Sequence, residues 1–286
     1  MDINVDGATI FVLPVGAENG YPLFVLHGGP GLDHHEMHPW LDSLGDTFRL
    51  LYVDLRGQGA SQRVDPASLS LSRFALDVTK LAAALELPHY AVLGHSYGSF
   101  VALAHAIEQG GASHYVLSGC TASFGKSMPE IQHNLEIFEP VALREQVTRS
   151  WALEAQAKTQ ADVAALMEMQ MPFHFATTES DAYHRFMAAM AEGHEVYAPD
   201  VLAYFAANEY AIEYEDQLGK VSKPALVVTG EFDRTCTPRA SRELSAGIPD
   251  SELLIIPNAG HMTYVERPDV YFPAVRAFFA RHGVSA

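Results

Sequence analysis

A serine that could act as a nucleophile lies at Ser96, inside the segment GHSYG (94–98). The apolar run YAVLGH (90–95) precedes it, and a helix-forming run, SFVALAHAIEQ (99–109), follows it. A sharp turn between strand and helix needs small residues beside the serine, and it lifts the hydroxyl out at the helix N-terminus, where negative charge is favoured. The sequence therefore predicts Ser96 as a nucleophile and the adjacent His95 as a structural residue.

A serine hydroxyl becomes reactive only when a base takes its proton and a third group orients that base. Asp233 follows the apolar run ALVVTG (225–230), and His261 follows the next run, ELLIIP (252–257). Open α/β sheets place their sites at the carboxyl ends of the strands. The order Ser96, Asp233, His261 therefore predicts a catalytic triad at that edge of a sheet.

Short apolar runs alternate along the chain with amphipathic helical patterns. Six runs have the near-continuous Val, Leu and Ile content that is typical of strands covered on both faces: 23–27, 48–54, 90–95, 114–119, 225–230 and 252–257. Residues 71–87 and the segment after Pro268 have the periodicity of helices. The alternation predicts an α/β fold with a mostly parallel central sheet flanked by helices.

Residues 121–217 interrupt this alternation, because they lack clear strand runs and are rich in Ala, Met, Glu and aromatic residues. We expect them to form a helical cap inserted between sheet strands, with residues 1–120 and 218–286 forming the core. The segment holds 16 acidic and 5 basic residues, so −11 of the formal net charge of −17 lies here. This concentration favours a role of the acidity in substrate choice, with solvated helix faces as the alternative.

The composition also limits the classes of partner and location. No basic run could neutralise phosphates, so we expect no binding to nucleic acid. No 18-residue apolar run and no signal-peptide pattern occur, so we expect no membrane span and a cytoplasmic location. The two cysteines, Cys120 and Cys236, predict no disulfide framework. We expect no cofactor, and the oligomeric state stays open.

Five motifs of this chain resemble those of the α/β-hydrolase superfamily and, within it, the proline iminopeptidase group of serine peptidases: HGGPG (27–31), DLRGQGAS (54–61), GHSYGS (94–99), GEFD (230–233) and GH (260–261). The resemblance implies the triad named above. It also implies an oxyanion hole made by the backbone N–H groups of Gly29 and Tyr97, with Gly28 in support. Glycines suit this role because they let a substrate carbonyl approach the backbone.

Two positions depart from the pattern of that group. Ser99 stands where a second glycine is usual, and Arg234 stands where some members place a glutamate. Iminopeptidases hold the free amine of their substrate with cap carboxylates, and the resemblance makes Glu209 a candidate, followed by Glu213 one helical turn further. Arg234 would oppose an ammonium group if it faced the pocket; otherwise it points away or pairs with a cap glutamate.

Several functions remain open on the sequence alone. The first is a serine hydrolase with an acyl-enzyme mechanism, similar to a proline iminopeptidase, acting as an aminopeptidase or amidase on a small-molecule or short-peptide substrate. The second is a carboxylesterase or lactonase that uses the same triad on small uncharged esters, which Arg234 favours. The third is a non-enzymatic small-molecule receptor or interaction module that retains an α/β-hydrolase pocket. The intact triad argues against this function.

A fourth function, metal-assisted hydrolysis, is suggested by the histidines in HGGPGLDHHEMH (27–38). His34, Glu36 and His38 have spacings of two and four residues, whereas Pro39 and the turn-forming GPGLD disfavour a regular helix there. We therefore expect no metal site, and interpret the glycines of this segment as half of an oxyanion hole.

Overall fold

The computed structural model describes residues 1–208 and 212–284, which form one eight-stranded sheet. Its strands are β1 (Asp2–Val5), β2 (Ala8–Gly16), β3 (Tyr21–Leu26), β4 (Phe48–Val53), β5 (Ala91–His95), β6 (Tyr115–Ser118), β7 (Ala225–Gly230) and β8 (Ser251–Ile256). Their order across the sheet is β1-β2-β4-β3-β5-β6-β7-β8. All pairings from β4 to β8 are parallel, which confirms the mostly parallel sheet expected from the apolar runs.

The sequence did not reveal the two N-terminal strands, which pair antiparallel with each other and join the sheet through β4. Along β2, buried and more exposed residues alternate, as they do in a strand with one face on the core. The expectation of continuous apolar runs therefore missed these strands, because their pattern has a period of two.

Helices cover the sheet. Those of the described residues are α1 (Leu71–Ala84), α2 (Tyr97–Ala104), α3 (Phe124–Glu136), α4 (Val141–Leu153), α5 (Gln160–His174), α6 (Asp181–Ala191), α7 (Pro199–Ala207), α8 (Pro238–Gly247), α9 (Thr263–Glu266) and α10 (Pro268–Arg281). The helices α1 and α10 confirm the two helical patterns of the sequence, and α10 buries Val275, Phe278 and Phe279 as its apolar side.

The helices α3 to α7 lie between β6 and β7, which confirms a helical insertion between sheet strands. Two large apolar clusters form the main core, and a smaller one packs α3, α4 and α5 together around Ile131, Val147 and Phe173. In the described part of the chain, no helix is both long and apolar enough to cross a membrane. The insertion thus begins after the carboxyl end of β6, the sheet edge at which the predicted catalytic residues follow their strands.

Candidate active site

Ser96 occupies a strained turn between β5 and α2, with φ of +51° and ψ of −122°. The glycines on either side of it leave no room for a side chain. A Cβ at Gly94 would lie 2.1 Å from the Gly98 carbonyl oxygen, and a Cβ at Gly98 would lie 2.1 Å from the Leu26 carbonyl oxygen. The spacing of glycine, serine and glycine thus follows from the close contact of α2 with β3 and β5, which presents the serine at the helix N-terminus.

Asp233 and His261 form a buried hydrogen-bonded pair. His261 Nδ1 lies 2.7 Å from Asp233 Oδ2. The other carboxylate oxygen, Oδ1, accepts hydrogen bonds of 2.9 Å from the backbone N–H groups of Thr235 and Cys236 and from the Thr235 hydroxyl. These donors hold the carboxylate in one orientation, so that it fixes the imidazole ring in turn.

Burial and charge act in opposite directions on this pair. Burial alone would raise the pKa of Asp233, but the nearby His261 and the hydrogen bonds from His261 and Thr235 lower it overall. Burial likewise lowers the pKa of His261, yet the charge of Asp233 and its hydrogen bond raise it above the ordinary value. The arrangement therefore stabilises an imidazolium, the species that forms when a histidine takes a proton from a serine.

Three neighbours fix the position of the His261 ring. A Cβ at Gly119 would lie 2.6 Å from His261 Cε1, so this glycine leaves room for the ring. The imidazoles of His95 and His174 lie with ring centroids 4.7 and 5.3 Å from that of His261. Burial lowers the pKa of both, that of His174 to about 3, so they add no positive charge beside His261 at neutral pH.

Ser96 and His261 line the same cavity, which lies between the sheet edge and the inserted helices. Among the described residues, the Ser96 hydroxyl makes no hydrogen bond. The hydrogen bond between a catalytic serine and its histidine often forms fully only when substrate is bound. Gly29 also lines the cavity, and Tyr97 begins α2, so its N–H has no acceptor within the helix. Gly29 thus lines the cavity and Tyr97 directly follows the serine, and the binding of an oxyanion by their N–H groups stays a prediction.

Gly28 differs from Gly29, because its N–H is already engaged. It donates to the Glu36 carboxylate, which packs so closely that a Cβ at Gly28 would lie 2.6 Å from Glu36 Oε1. Gly28 therefore holds the glycine loop in place through Glu36, and its support of an oxyanion hole stays a prediction. Glu36 itself lines the cavity. Burial raises its pKa to about 7, against the opposing effects of the Gly28 hydrogen bond and His261.

The inserted helices supply a polar wall that the sequence did not reveal. It consists of Trp151, Glu154, Gln170 and His174. Glu154 is buried, and Gln170 Nε2 donates to its Oε1 at 2.5 Å. The sequence gives little indication of Glu154, because no pattern distinguishes it from the other acidic residues among the 16 of this segment. Two carboxyl groups, those of Glu36 and Glu154, therefore share the cavity with Ser96.

The three residues proposed from the sequence for substrate binding lie elsewhere in the described structure or outside it. Arg234 is absent from the cavity wall; its guanidinium donates to the carbonyl oxygens of Phe173 at 3.1 Å and Phe175 at 2.7 Å. Glu213 is exposed, and its carboxylate accepts from the backbone N–H of Gly125 at 3.2 Å. Glu209 lies outside the described residues. The structure thus places Arg234 and Glu213 in contact with the inserted segment and not on the wall of this cavity, and a role of either in substrate binding stays a prediction.

The histidines near the glycine loop bind neighbouring protein groups. His34 Nδ1 lies 2.8 Å from Asp54, and His35 Nδ1 lies 2.9 Å from Asp33. The side chains of Asp33, His34 and His35 offer ligand atoms within 4.8 Å of one another. The Nδ1 atoms of both histidines and the Asp33 carboxylate nevertheless take part in hydrogen bonds, and Asp33 also caps the short 3₁₀-helix His34–Glu36. The cluster thus orders the loop that carries the glycines.

The chain belongs to the α/β-hydrolase fold family, whose model matches residues 21–268. It is 26% identical to the proline iminopeptidase PfmaB of Pestalotiopsis fici over 281 residues, which cover 96% of this chain and 97% of that protein.

Two solved structures share the fold. One is a proline iminopeptidase of Mycobacterium smegmatis, with a TM-score of 0.76, 22% identity, and coverage of 99% of this chain and 98% of that one. The other is a thermophilic esterase from Thermogutta terrifontis, with a TM-score of 0.74, 22% identity, and coverage of 98% and 97%. The structural similarity extends equally to a peptidase and an esterase.

Proposed function

We propose that the protein is a serine hydrolase that acts on small amides or short peptides. It cleaves the amide bond that follows a residue with a free amino group. Ser96 Oγ attacks the carbonyl carbon while His261 takes its proton, and Asp233 orients the imidazole. The N–H groups of Gly29 and Tyr97 bind the oxyanion. His261 then gives the proton to the leaving amine. Water attacks the acyl-enzyme in the second half of the reaction, and His261 takes a proton from it and returns a proton to Ser96 as the acid is released.

The observation that carries this proposal is the pair of carboxyl groups on the cavity wall. Glu36 and Glu154 both line it, whereas its described residues include no lysine or arginine. An ionised carboxylate this close to the glycine loop opposes a developing oxyanion, unless a cation is bound beside it. The ammonium group of an aminoacyl substrate supplies that cation, and charge-assisted hydrogen bonds hold it. Because Arg234 lies away from the wall, its guanidinium does not repel this ammonium group.

Aminoacyl p-nitroanilides, including the proline derivative, test this proposal when compared with p-nitrophenyl acetate and butyrate. We expect Ser96→Ala to abolish turnover of both classes. Glu154→Gln keeps the size of the side chain and an acceptor for Gln170, so we expect it to raise KM for the aminoacyl substrates and to leave the esters unchanged. Cleavage of esters without turnover of any free-amine substrate would contradict the peptidase function.

That outcome would support the second function, hydrolysis of small uncharged esters or lactones. It is favoured by the apolar part of the same wall, which includes Phe100, Phe124 and Leu202. Such a wall binds an uncharged acyl group by burying its apolar surface.

A further inference from the structure

The cavity of Ser96 adjoins a second, smaller chamber on the side of the glycine loop. Five residues line both spaces: Leu32, Glu36, Met167, Met171 and Met262. Leu32 follows the glycine loop, and Met262 follows His261. The boundary that the two spaces share therefore lies next to the groups that would act on a substrate carbonyl.

The wall of this side chamber is mostly apolar. Phe186, Met190 and Tyr197 line it but do not line the cavity of Ser96. Together with the shared Met167, Met171 and Met262 they make a wall dominated by methionine. Unbranched thioether side chains rotate freely and adapt their shape, so such a wall can enclose a flexible, unbranched apolar chain.

Carboxyl groups exclude anions from this chamber. Asp33 and Glu195 line it, and Glu36 lies on the boundary that it shares with the cavity of Ser96. Asp33 is buried and accepts from the Val196 N–H at 2.8 Å. The partly exposed His35 pairs with Asp33 and adds a positive charge beside these acids only when it is protonated. The peptide released by cleavage carries a terminal carboxylate, and these acids would repel it. The acyl part of a substrate carries no such charge.

We propose that the side chamber is the subsite for the group attached to the scissile carbonyl carbon, and that it takes an unbranched apolar chain. The inference rests on the proposed function, because the chain must be delivered by acylation of Ser96. It extends that function by naming the side chain or acyl group that the protein selects.

Two phosphonate esters test the proposal, O-ethyl O-p-nitrophenyl hexylphosphonate and its ethylphosphonate homologue. In each case the Ser96 oxygen forms a bond to phosphorus, p-nitrophenolate leaves, and the hydroxyl proton passes to His261. The alkyl group on phosphorus takes the place of the acyl chain. We expect the wild-type protein to react with the hexyl probe at least about tenfold faster than with the ethyl probe, a difference that a fitting apolar pocket can supply.

Three variants on α6 separate the chamber from the cavity of Ser96. Met190→Trp fills the chamber and should reduce the ratio of hexyl to ethyl rates to about 1, with thermal unfolding as the check on folding. Met190→Ala enlarges the chamber and should keep a ratio above 1. Met187→Ala is the matched control, since Met187 is partly buried on the same helix and lines neither space. It should leave the ratio unchanged.

The outcomes distinguish the two proposals. A ratio near 1 in the wild-type protein, or an unchanged ratio in Met190→Trp, would overturn the side-chamber subsite and leave the serine hydrolase intact. Absence of reaction with either probe in the wild-type protein would contradict the proposed function and, with it, the subsite.

Discussion

Replacement of Arg234 by methionine should loosen the inserted helices without changing substrate preference. The guanidinium donates to the carbonyl oxygens of Phe173, Phe175 and Ala176 at 3.1, 2.7 and 3.4 Å, and it lies 5.1 Å from the ring centroid of Phe138. Hydrogen bonds to a charged group contribute about 1.5–3 kcal/mol each. With the two shorter bonds counted at the lower value, the loss is about 3 kcal/mol, or about 6 °C in Tm for a chain of this size.

The assay is thermal unfolding together with kcat/KM for one aminoacyl p-nitroanilide and one p-nitrophenyl ester. We expect Arg234→Met to lower kcat/KM for both substrates by a similar factor. The reason is that His174 lies between Phe173 and Phe175, and its backbone carbonyl accepts a hydrogen bond of 2.7 Å from the backbone N–H of His261. Arg239→Met is the matched control, since that arginine pairs with Glu130 and Glu243 at the surface and should change stability by less than about 0.5 kcal/mol. An unchanged Tm together with a higher kcat/KM for the aminoacyl substrate alone would refute this reasoning. It would show that Arg234 faces the substrate.

Three further changes test other parts of the site. Gly98→Ala places a methyl group 2.1 Å from a backbone oxygen, so it should prevent a stable fold or lower the urea midpoint strongly; an unaltered midpoint would contradict the geometry of the turn. Asp233→Asn should lower kcat about 10⁴-fold. Because the pKa of His261 is raised and its neutral form is the base, wild-type kcat/KM should increase as pH rises through that pKa, and the increase should shift to lower pH in Asp233→Asn. Glu36→Gln should lower kcat/KM for aminoacyl substrates about tenfold above pH 7, where Glu36 is ionised, and should match the wild type below it; equal loss at all pH values, or loss on p-nitrophenyl acetate, would show that Glu36 only holds the loop.

The sequence could predict six of the eight strands and the sheet edge at which Ser96, Asp233 and His261 lie, because each comes within five residues of the end of a strand. Parallel strands end at one edge, so a residue just past the end of a strand has a known place in the fold. The glycine loop was predictable for the same reason, since HGGPG follows β3.

The rest of the site depends on contacts between segments far apart in the chain, which periodicity does not specify. Glu154 and Gln170 come from different elements of the insertion, and only their packing brings them together at 2.5 Å. Glu36 was grouped with the histidines because of its place in the chain, although its carboxylate bonds to Gly28 instead. Arg234 follows a predicted triad residue, but the free carbonyl groups at the end of α5 determine its direction.

The measurement that tests the central claim most directly is mass spectrometry of the protein after reaction with a fluorophosphonate. We predict a single adduct that maps to Ser96, that is absent in Ser96→Ala, and that forms much more slowly in His261→Ala. No adduct, or an adduct on another residue that persists in Ser96→Ala, would contradict the assignment of Ser96 as the nucleophile.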